Sequence, residues 1–359
     1  ALGLATPISV IVGVGKAAEI GLIIRRSEAL QRASNITTIV LDKTGTISEG
    51  QPKVIDIIAS EPFSKDSILT LAASIEKASE HPLAAAIVAA AHKYQLQLST
   101  ITQFESITGQ GVKGRVNKKT ILLGNKQLMA TNGIALNTIT TQVSTFSEQG
   151  QTPLYLAVND QLAGLICVSD PIREDAIAAI KRLRQLSISV AMLTGDNAET
   201  AKAIAEKIGI DTFCANVSPK DKAIYINKLQ RQGEVVGMTG DGINDAPALA
   251  QADVGFAIGS GTDIAIETAD ITLLRSSLHS LSDAIELSRA TLRNIKQNLL
   301  GAFAYNALGI PIAAGILFPF SGILLNPVIA GAAMALSSVT VVTNANRLKL
   351  FKPSQELPL

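Results

Sequence analysis

Cysteine and net charge are both scarce in this sequence. Two of its 359 residues are cysteines, Cys167 and Cys214, and the formal net charge at pH 7 is +1. Two cysteines this far apart exclude a Cys-x-x-Cys metal module within these residues and argue against a disulfide framework, so we expect buried thiols. The near-neutral charge without a basic block argues against nucleic acid as a partner, because binding to phosphates needs a basic surface.

Apolar residues, in contrast, are abundant: 47% of the chain is hydrophobic, which indicates that part of it lies in lipid. Residues 1–24 are almost wholly apolar, broken by Lys16 and Glu19, and they run into Arg25-Arg26. This pattern is typical of the end of a transmembrane helix rather than of a signal peptide. We expect residues 1–30 to be such a helix end with a cytoplasmic extension, in a chain that is a fragment.

Two further apolar runs, Leu299 to Phe318 and Ile323 to Thr343, are each long enough to cross ~30 Å of hydrocarbon. The basic residues that flank the pair predict cytoplasmic ends on both sides; they are Arg289, Arg293, Lys296, Arg347, Lys349 and Lys352. We therefore expect two transmembrane helices within residues 286–346 and a cytoplasmic tail at 347–359. Two buried helices of a soluble core are the alternative.

The region between these segments alternates between short apolar runs and helical patterns, which predicts an α/β fold with a parallel sheet. Three runs end in acidic turns: residues 36–41 lead into Asp42, 188–193 into Thr194-Gly195-Asp196, and 235–238 into Thr239-Gly240-Asp241-Gly242. Because ligands bind outside the carboxyl ends of parallel strands, we expect the three turns to converge there. A single such aspartate is usually a helix cap, but three are hard to explain by capping.

Phosphoryl transfer to a carboxylate is the chemistry that fits these turns. Asp42 would attack the terminal phosphate of a nucleotide, and Asp42 and Asp241 offer the hard oxygens that Mg²⁺ prefers. Lys220 can supply positive charge and Thr194 a hydrogen bond, with Asn244 and Asp245 completing the metal side. A solvated helix position is the alternative for Lys220.

In order and spacing these motifs resemble those of P-type ATPases, which belong to the haloacid dehalogenase superfamily. They are Asp42-Lys43-Thr44-Gly45-Thr46, Thr194-Gly195-Asp196 and residues 239–247, Thr-Gly-Asp-Gly-Ile-Asn-Asp-Ala-Pro. The resemblance implies that Asp42 is phosphorylated and that Lys220 and Thr194 contact the phosphoryl group. It also implies a catalytic set that includes Lys43, Thr44, Thr46, Gly195, Asp196 and Asn244, and a Mg²⁺ site of Asp42, Thr44, Asp241 and Asp245.

The implied fold is a haloacid dehalogenase-like Rossmannoid phosphorylation domain at residues 31–50 and 168–285, with an α+β nucleotide-binding domain inserted at 51–167. Ser79-Glu80-His81-Pro82-Leu83 is similar to a signature of the heavy-metal-transporting branch. By that resemblance the ATP site consists of Glu76, His81, Gly109, Gly111, Gly124 and Asn125. The glycines would let the backbone approach the nucleotide closely, although an ordinary turn and a structural histidine are the alternatives.

The transported metal is indicated by polar residues in the predicted spans, which are costly in lipid. Tyr305-Asn306 lies in one span, and Met334 and Ser338 lie four residues apart in the next. A thioether suits Cu(I) or Ag(I), and the combination resembles the copper(I) subgroup; the zinc and cadmium subgroup would carry an aspartate in the last span. Helix packing is an equally good explanation for the serine.

The sequence thus predicts the catalytic half of an ATP-driven copper(I) export pump in the cell (inner) membrane, with its catalytic domains in the cytoplasm. In copper-type pumps, residues like Ala1 to Pro7 follow a Cys-Pro-Cys metal site, which this chain lacks along with the actuator domain. The expected ligands are ATP, Mg²⁺, membrane lipid and copper delivered by a chaperone. The alternatives are a silver(I) or other soft-metal pump, and a membrane-tethered phosphatase. Phosphatases usually carry a second acid where Thr44 stands, which favours the pump.

Overall fold

The structure is a computed structural model that describes residues 1–79, 81–107, 109–136, 146, 151–316, 318–321 and 326–354. It forms two compact units. The first comprises Ala1–Val40, Ala178–Ser189 and Ala223–Leu359, and the second comprises Leu41–Ile177 and Val190–Lys222.

Helices and strands alternate along much of the chain, as the sequence predicts. The elements up to Ser169 are α1 (Leu2–Glu19), β1 (Leu22–Ile24), α2 (Ser27–Ala33), β2 (Thr38–Asp42), β3 (Lys53–Ala59), α3 (Lys65–Glu76), α4 (Pro82–Lys93), β4 (Ile101–Ile107), β5 (Gly111–Val116), β6 (Lys119–Gly124), α5 (Lys126–Thr131), β7 (Thr152–Val158) and β8 (Gln161–Ser169). After these come α6 (Ala176–Gln185), β9 (Ser189–Leu193), α7 (Ala198–Ile208), β10 (Thr212–Cys214), α8 (Pro219–Arg231), β11 (Val236–Gly240), a 3-10 turn (Ile243–Asp245), α9 (Ala246–Gln251), β12 (Val254–Ile258), α10 (Asp263–Thr268), β13 (Ile271–Leu273), α11 (His279–Ala313), α12 (Phe318–Ser321), α13 (Pro327–Asn346) and a 3-10 turn (Arg347–Leu350).

Parallel strands form the sheet of the first unit. There β11 pairs in parallel with β12, and β12 in parallel with β13, while β1 closes the edge antiparallel to β13. Every residue of β11, β12 and β13 is buried, which explains their unbroken apolar sequences. The predicted α/β class with parallel strands is confirmed.

The second unit contains a six-stranded antiparallel sheet in the order β3-β8-β7-β6-β5-β4, and its strands run from Lys53 to Ser169. Because side chains alternate along a strand, the two faces bury different residues. One face packs with α3 and α4 around Ile68, Ile87 and Leu123. The other packs with α5 around Leu122 and Tyr155. This is the α+β arrangement predicted for the inserted region. The unit also contains the parallel pair β9 and β10.

Three long helices of the first unit, α1, α11 and α13, pack against one another around a small core of Ala5, Ala302 and Val341. By length and composition, two helices in the described residues can cross a membrane: Leu2–Glu19 and Pro327–Leu350. Large apolar side chains on α1, α11 and α13 are exposed, as expected in lipid, among them Ile11, Leu300 and Val339.

The predicted span Leu299–Phe318 coincides with the end of α11, which is not one of these two helices. In the structure α11 ends at Ala313. Its apolar part is therefore ~22 Å long at 1.5 Å per residue, shorter than the hydrocarbon layer. The predicted span Ile323–Thr343 corresponds to α13, which begins at Pro327; residues 317 and 322–325 lie outside the described residues.

Candidate active site

Asp42 is the last residue of β2, and it is buried. The ammonium nitrogen of Lys222, on α8, donates a hydrogen bond to Asp42 Oδ1 at 2.6 Å, and the lysine is buried as well. Burying an unpaired charge would be costly, so each group compensates the other. Asp42 is thus a buried carboxyl group held beside an ammonium group at the end of a strand.

Lys220 does not occupy the position that the sequence analysis gave it. It is exposed near the start of α8, and Lys222, two residues later, is the lysine that reaches Asp42. Residues two apart on a helix point in nearly opposite directions, since each residue turns the helix by ~100°. The sequence analysis identified the right segment but the wrong lysine, because the orientation of α8 turns Lys222 towards Asp42. We therefore correct the assignment to Lys222.

Lys43, the next residue after Asp42, forms a second ion pair. Its ammonium lies 2.9 Å from Asp196 Oδ2, and both side chains are largely buried. Burial opposes the charged form of Lys43, but the carboxylate of Asp196, with smaller contributions from Asp170 and Asp42, outweighs this and raises the pKa of the lysine. Lys43 therefore stays charged and fixes the turn that contains Asp196.

The loop from Lys43 to Ile47 is an irregular turn, with non-helical backbone at Thr44 and Gly45, and it needs a glycine. Gly45 has φ of +72°, a left-handed conformation that other residues adopt only at a cost. Its N–H donates to the hydroxyl of Ser48 at 3.2 Å, and that hydroxyl lies within hydrogen-bond distance of the Lys43 carbonyl and the Asp170 carboxylate. The hydroxyl of Ser48 therefore stabilises the conformation of this loop.

Arg173 also stabilises this loop, through hydrogen bonds to two of its carbonyl groups. The sequence analysis did not identify this residue. Its Nε donates to the carbonyl of Thr46 at 2.9 Å and its Nη2 to the carbonyl of Gly45 at 2.8 Å. A signal was available: Asp170 and Arg173 follow β8 directly, as the other acidic turns follow their strands. They position the loop but do not point to phosphate chemistry by themselves.

Two threonines of the predicted site, Thr46 and Thr194, are deeply buried. Thr194 follows β9; its hydroxyl accepts the N–H of Asp196 at 3.1 Å, and its backbone pairs with Cys214 and Val217. The hydroxyl of Thr46 has no hydrogen-bond partner among the described residues. An unpaired buried hydroxyl costs about 1–3 kcal/mol, which a bound oxyanion would recover. Thr44, the remaining threonine of the motif, is half-buried.

In the first unit the turn after β11 is built around Asp245. Its Oδ2 accepts the N–H groups of Asp241 at 3.3 Å and Gly242 at 3.2 Å, and its side chain is buried. Gly240 must be glycine, because a Cβ there would lie 2.5 Å from Asp245. Asp241 itself is half-buried and Asn244 is exposed on the 3-10 turn. The hydroxyl of Thr239 is another buried group without a hydrogen-bond partner in the described residues.

The predicted nucleotide residues Glu76 and His81 lie at the junction of α3 and α4. Glu76 ends α3, where burial raises the pKa of its carboxyl group, and its Oε2 has no hydrogen-bond partner in the described part of the chain. His81 Nδ1 accepts the N–H of Leu83 at 3.2 Å and caps α4. Glu80, in the same motif, lies outside the described residues.

The predicted glycines of this region have a structural reason. Gly111 and Gly124 are directly opposite each other in β5 and β6. A Cβ on Gly111 would lie 2.2 Å from the carbonyl of Leu123, and one on Gly124 would lie 2.2 Å from the carbonyl of Gln110. Their small size is thus required for strand pairing, whereas the sequence analysis assigned it to the approach of the nucleotide.

Asn125 connects this pair to Gly109. Its Nδ2 donates to the Gly109 carbonyl at 2.9 Å, while its Oδ1 accepts the N–H of Leu128 and caps α5. Gly109 has φ of +73°, and no atom lies within 4 Å of the position that a Cβ would take. The structure therefore brings the four predicted residues of this region together.

In the predicted membrane segments, Asn306 and Ser338 each donate a hydrogen bond to a carbonyl of their own helix. Asn306 Nδ2 lies 3.0 Å from the Ala302 carbonyl, and Ser338 Oγ lies 3.2 Å from the Met334 carbonyl. Met334 and Tyr305 are 70% and 39% exposed. The metal path through these residues stays a prediction.

Comparisons with known proteins are consistent with these motifs. Residues 36–253 match the family model of the haloacid dehalogenase-like hydrolases. The chain is 50% identical over 354 residues to copper-transporting ATPase 2 of Rhizobium meliloti, covering 99% of this chain and 43% of the relative. It is 49% identical over 349 residues to a silver exporting P-type ATPase of Salmonella typhimurium, covering 97% of this chain and 42% of the relative. The chain thus spans less than half the length of these curated relatives.

Solved structures give the same result at lower identity. A zinc-transporting PIB-type ATPase in its E2.Pi state is 35% identical with a TM-score of 0.73, covering 97% of this chain and 55% of that one. The catalytic domain of the CPx-ATPase CopB-B is 30% identical with a TM-score of 0.62, covering 77% of this chain and 98% of that one.

Proposed function

We propose a function for this chain on the premise that it belongs to the CPx-type (PIB-type) P-type ATPases, within the haloacid dehalogenase-like hydrolases. The proposed function is that of the catalytic part of an ATP-driven copper(I) export pump. The observation that carries the proposal is the buried Asp42 at the end of β2, paired with Lys222 and followed by the braced loop of Lys43 to Ile47.

In the proposed reaction a carboxylate oxygen of Asp42 attacks the γ-phosphorus of ATP. The bond to the β,γ-bridging oxygen breaks, ADP leaves, and an aspartyl phosphate remains. Lys222 offsets negative charge on the transferring group, and the hydroxyls of Thr46 and Thr194 are the available hydrogen-bond donors. Catalysis of this kind depends on positioning and charge, which the two buried ion pairs supply.

Persistence of the phosphate separates the pump from the phosphatase alternative. Thr44 stands two residues after Asp42, where a phosphatase would carry a general acid and base. A threonine cannot activate water for attack on the phosphorus. The proposed intermediate therefore lasts long enough to be coupled to a conformational change.

Mg²⁺ is the divalent ion proposed for the reaction. We propose Asp42, Asp241 and Asp245 as its ligands, because carboxylate oxygens are the donors that Mg²⁺ prefers, with the hydroxyl of Thr44 as a further donor. Bound there, the ion would neutralise phosphate oxygens during transfer. We propose this site from the donor chemistry and the family resemblance.

ATP is proposed to bind at the junction of α3 and α4 and at the Gly109, Gly124 and Asn125 cluster. Glu76 is a buried carboxyl group with an unpaired oxygen, so it is available to a base or ribose donor. His81 is fixed at the start of α4 by its own capping bond, which orients the ring. Together they would select the nucleotide.

Copper(I) is the proposed cargo, with silver(I) as the alternative. The thioether of Met334 is a soft ligand, and relatives named for copper and for silver are about equally similar to the chain. The zinc-transporting structure is less similar, at 35% identity. We further propose delivery of the metal by a copper chaperone and location in the cell (inner) membrane, with the catalytic domains in the cytoplasm.

Phosphorylation of Asp42 is the step to test. The intact protein is incubated with [γ-³²P]ATP and Cu(I) under reducing conditions, and acid-stable, hydroxylamine-labile label is counted. Asp42→Asn should abolish the label, because an amide oxygen is a far weaker nucleophile. The control Asp56→Asn, at an exposed ion pair with Lys65, should label like the parent. Undiminished label in Asp42→Asn would refute the proposal.

A further inference from the structure

A cavity of about 210 Å³ lies between α11 and α13. Gly301 and Val341 form its apolar side. The remaining lining is polar or basic: Gln297, Asn298, Thr340, Asn344 and Arg347. The cavity thus lies where the sequences of both helices change from apolar to basic, and none of the roles proposed above uses it.

The polar side of the cavity is held by a network that joins three helices. Asn298 Nδ2 donates to Ser9 Oγ of α1 at 2.9 Å, and Asn344 Nδ2 donates to Asn298 Oδ1 at 2.9 Å. Asn294 Nδ2 donates to the backbone carbonyl of Asn344 at 2.8 Å. Ser9, Asn294 and Asn298 are buried. The wall is therefore fixed before any ligand arrives, which lowers the entropic cost of binding.

The charge and donor chemistry of the cavity select an anion. Arg347 is exposed, and in the described residues it makes one hydrogen bond, from Nη1 to Asn344 Oδ1 at 3.1 Å. The Gln297 amide adds a further donor group, and the lining contains no acidic residue. A guanidinium repels Cu(I), which also requires softer ligands than amides and hydroxyls. The cavity therefore lies outside the metal path.

The surroundings indicate what carries the anion. Large exposed apolar side chains continue from the cavity along both helices, Leu300 and Phe303 on α11 and Leu336 and Val339 on α13. Basic residues continue in the other direction, at Arg293, Lys296, Lys349 and Lys352. The cavity volume is below the ~300 Å³ at which pockets for drug-sized ligands begin, so the cavity has room for a small group such as a phosphate. A phosphate with acyl chains on one side and water on the other matches this arrangement.

We propose that this cavity binds the headgroup phosphate of one anionic phospholipid from the cytoplasmic leaflet. Arg347 and the Gln297 amide donate hydrogen bonds to the phosphate oxygens, and the acyl chains lie along Leu300 and Val339. Lipid bound there joins α11 to α13 and stabilises the helix pair.

Binding is measured on the intact, detergent-solubilised protein by fluorescence anisotropy of phosphatidylglycerol labelled on its acyl chain. Phosphatidylcholine with the same label is the comparison lipid. The variants are Arg347→Gln and Gln297→Glu, and the control is Arg293→Gln, which removes the same charge from α11 outside the cavity. Circular dichroism confirms that each variant keeps its helices.

At 0.5 M NaCl the general attraction of surface charges is screened. Arg347→Gln should then bind phosphatidylglycerol at least about ten-fold more weakly than the parent, because the phosphate loses a hydrogen bond from a charged group. Gln297→Glu, an isosteric change that adds a negative charge, should lose at least as much. Arg293→Gln should bind like the parent.

Three results would overturn the proposal: equal binding of phosphatidylcholine, an equal loss in Arg293→Gln, or unchanged binding in both cavity variants. Displacement of the lipid by millimolar inorganic phosphate would likewise refute the lipid assignment and identify a simple phosphate site. None of these outcomes depends on ATP or copper, so the lipid site fails or holds independently of the pump.

Discussion

At the scale of single residues, two buried ion pairs determine the charge around Asp42. Lys222 pairs with Asp42 directly, and Lys43 pairs with Asp196. In the proposed reaction Asp42 accepts a phosphoryl group, which carries more negative charge than the carboxylate alone. The pairs therefore fix the position of the charges before the nucleotide arrives, so that little reorganisation is needed during transfer.

The two lysines of α8 offer a matched test. Lys222→Met removes the ion pair of the buried Asp42 carboxylate, which should lower phosphoenzyme formation about a hundred-fold or more and destabilise the fold by ~3–5 kcal/mol. Lys220→Met, at an exposed position on the same helix, should leave both nearly unchanged. Labelling from [γ-³²P]ATP and chemical unfolding measure the two effects. A loss confined to Lys220→Met would contradict the assignment of Lys222.

Glu76 should couple stability to pH. Burial raises its pKa above the ordinary 4.5, so the folded chain holds this proton more tightly than the unfolded chain does. Stability therefore falls as pH rises through 4.5 to the raised pKa, and the full cost remains at pH 7. Glu76→Gln should stabilise α3 by ~1 kcal/mol at pH 7 and by much less at pH 4.

Hydrogen-exchange protection of the α3 amides measures this difference at each pH. Glu105→Gln, on the exposed side of β4, is the control and should change nothing. A pH-independent difference, or weaker protection of Glu76→Gln at pH 7, would contradict the role of burial. The same variant should bind ATP more weakly if Glu76 belongs to the nucleotide site.

What the sequence could predict at this scale is residue type rather than orientation. Asp42, Thr194 and Asp245 were recognisable because each follows a buried strand within a distinctive motif. Lys222 was not, since Lys220 and Lys222 lie only two residues apart at the start of α8 and the packing of the helix decides which of them faces inward. Gly111 and Gly124 were found by resemblance, but their close strand pairing is a tertiary contact that no local pattern encodes.

At the scale of elements, the loop from Lys43 to Ile47 is the decisive one. Its conformation depends on Gly45 at φ +72° and on the hydrogen bonds that Ser48 and Arg173 form with the loop backbone. The sequence reveals the glycine but not the arginine, because Arg173 lies 128 positions from Gly45. Contacts at such separation follow from the topology and not from a local motif.

Replacement of Arg173 by lysine tests whether this brace serves catalysis. Lysine keeps the charge but lacks the planar fork that reaches the carbonyls of Gly45 and Thr46 together. Arg173→Lys should slow phosphorylation about ten- to hundred-fold through a shifted Asp42 loop, while ATP binding is kept. Arg115→Lys, at an exposed position in β5, is the control. Equal phosphorylation rates in both variants would rule out a positioning role.

At the scale of the whole molecule, the α/β class was predictable because parallel strands are continuous apolar runs. The inserted α+β sheet was expected from the family resemblance; its strands β7 and β8 are buried on both faces and show no alternation. The ends of the predicted membrane helices were less predictable from the sequence. Helix α11 continues from polar His279 to apolar Ala313 without a break, so hydropathy alone could not separate its two parts. Residues 1–19 and 327–350 carry the clearer signal.

Metal-dependent phosphorylation is the measurement that tests the central claim most directly. The intact protein is given [γ-³²P]ATP under reducing conditions with Cu(I), Ag(I) or Zn²⁺ in turn, and label on Asp42 is counted against Asp42→Asn. We predict that label appears with Cu(I) and Ag(I) and stays at background with Zn²⁺, because the proposed path carries a soft thioether and no aspartate. Label that depends on Zn²⁺ and not on Cu(I) would contradict the copper pump.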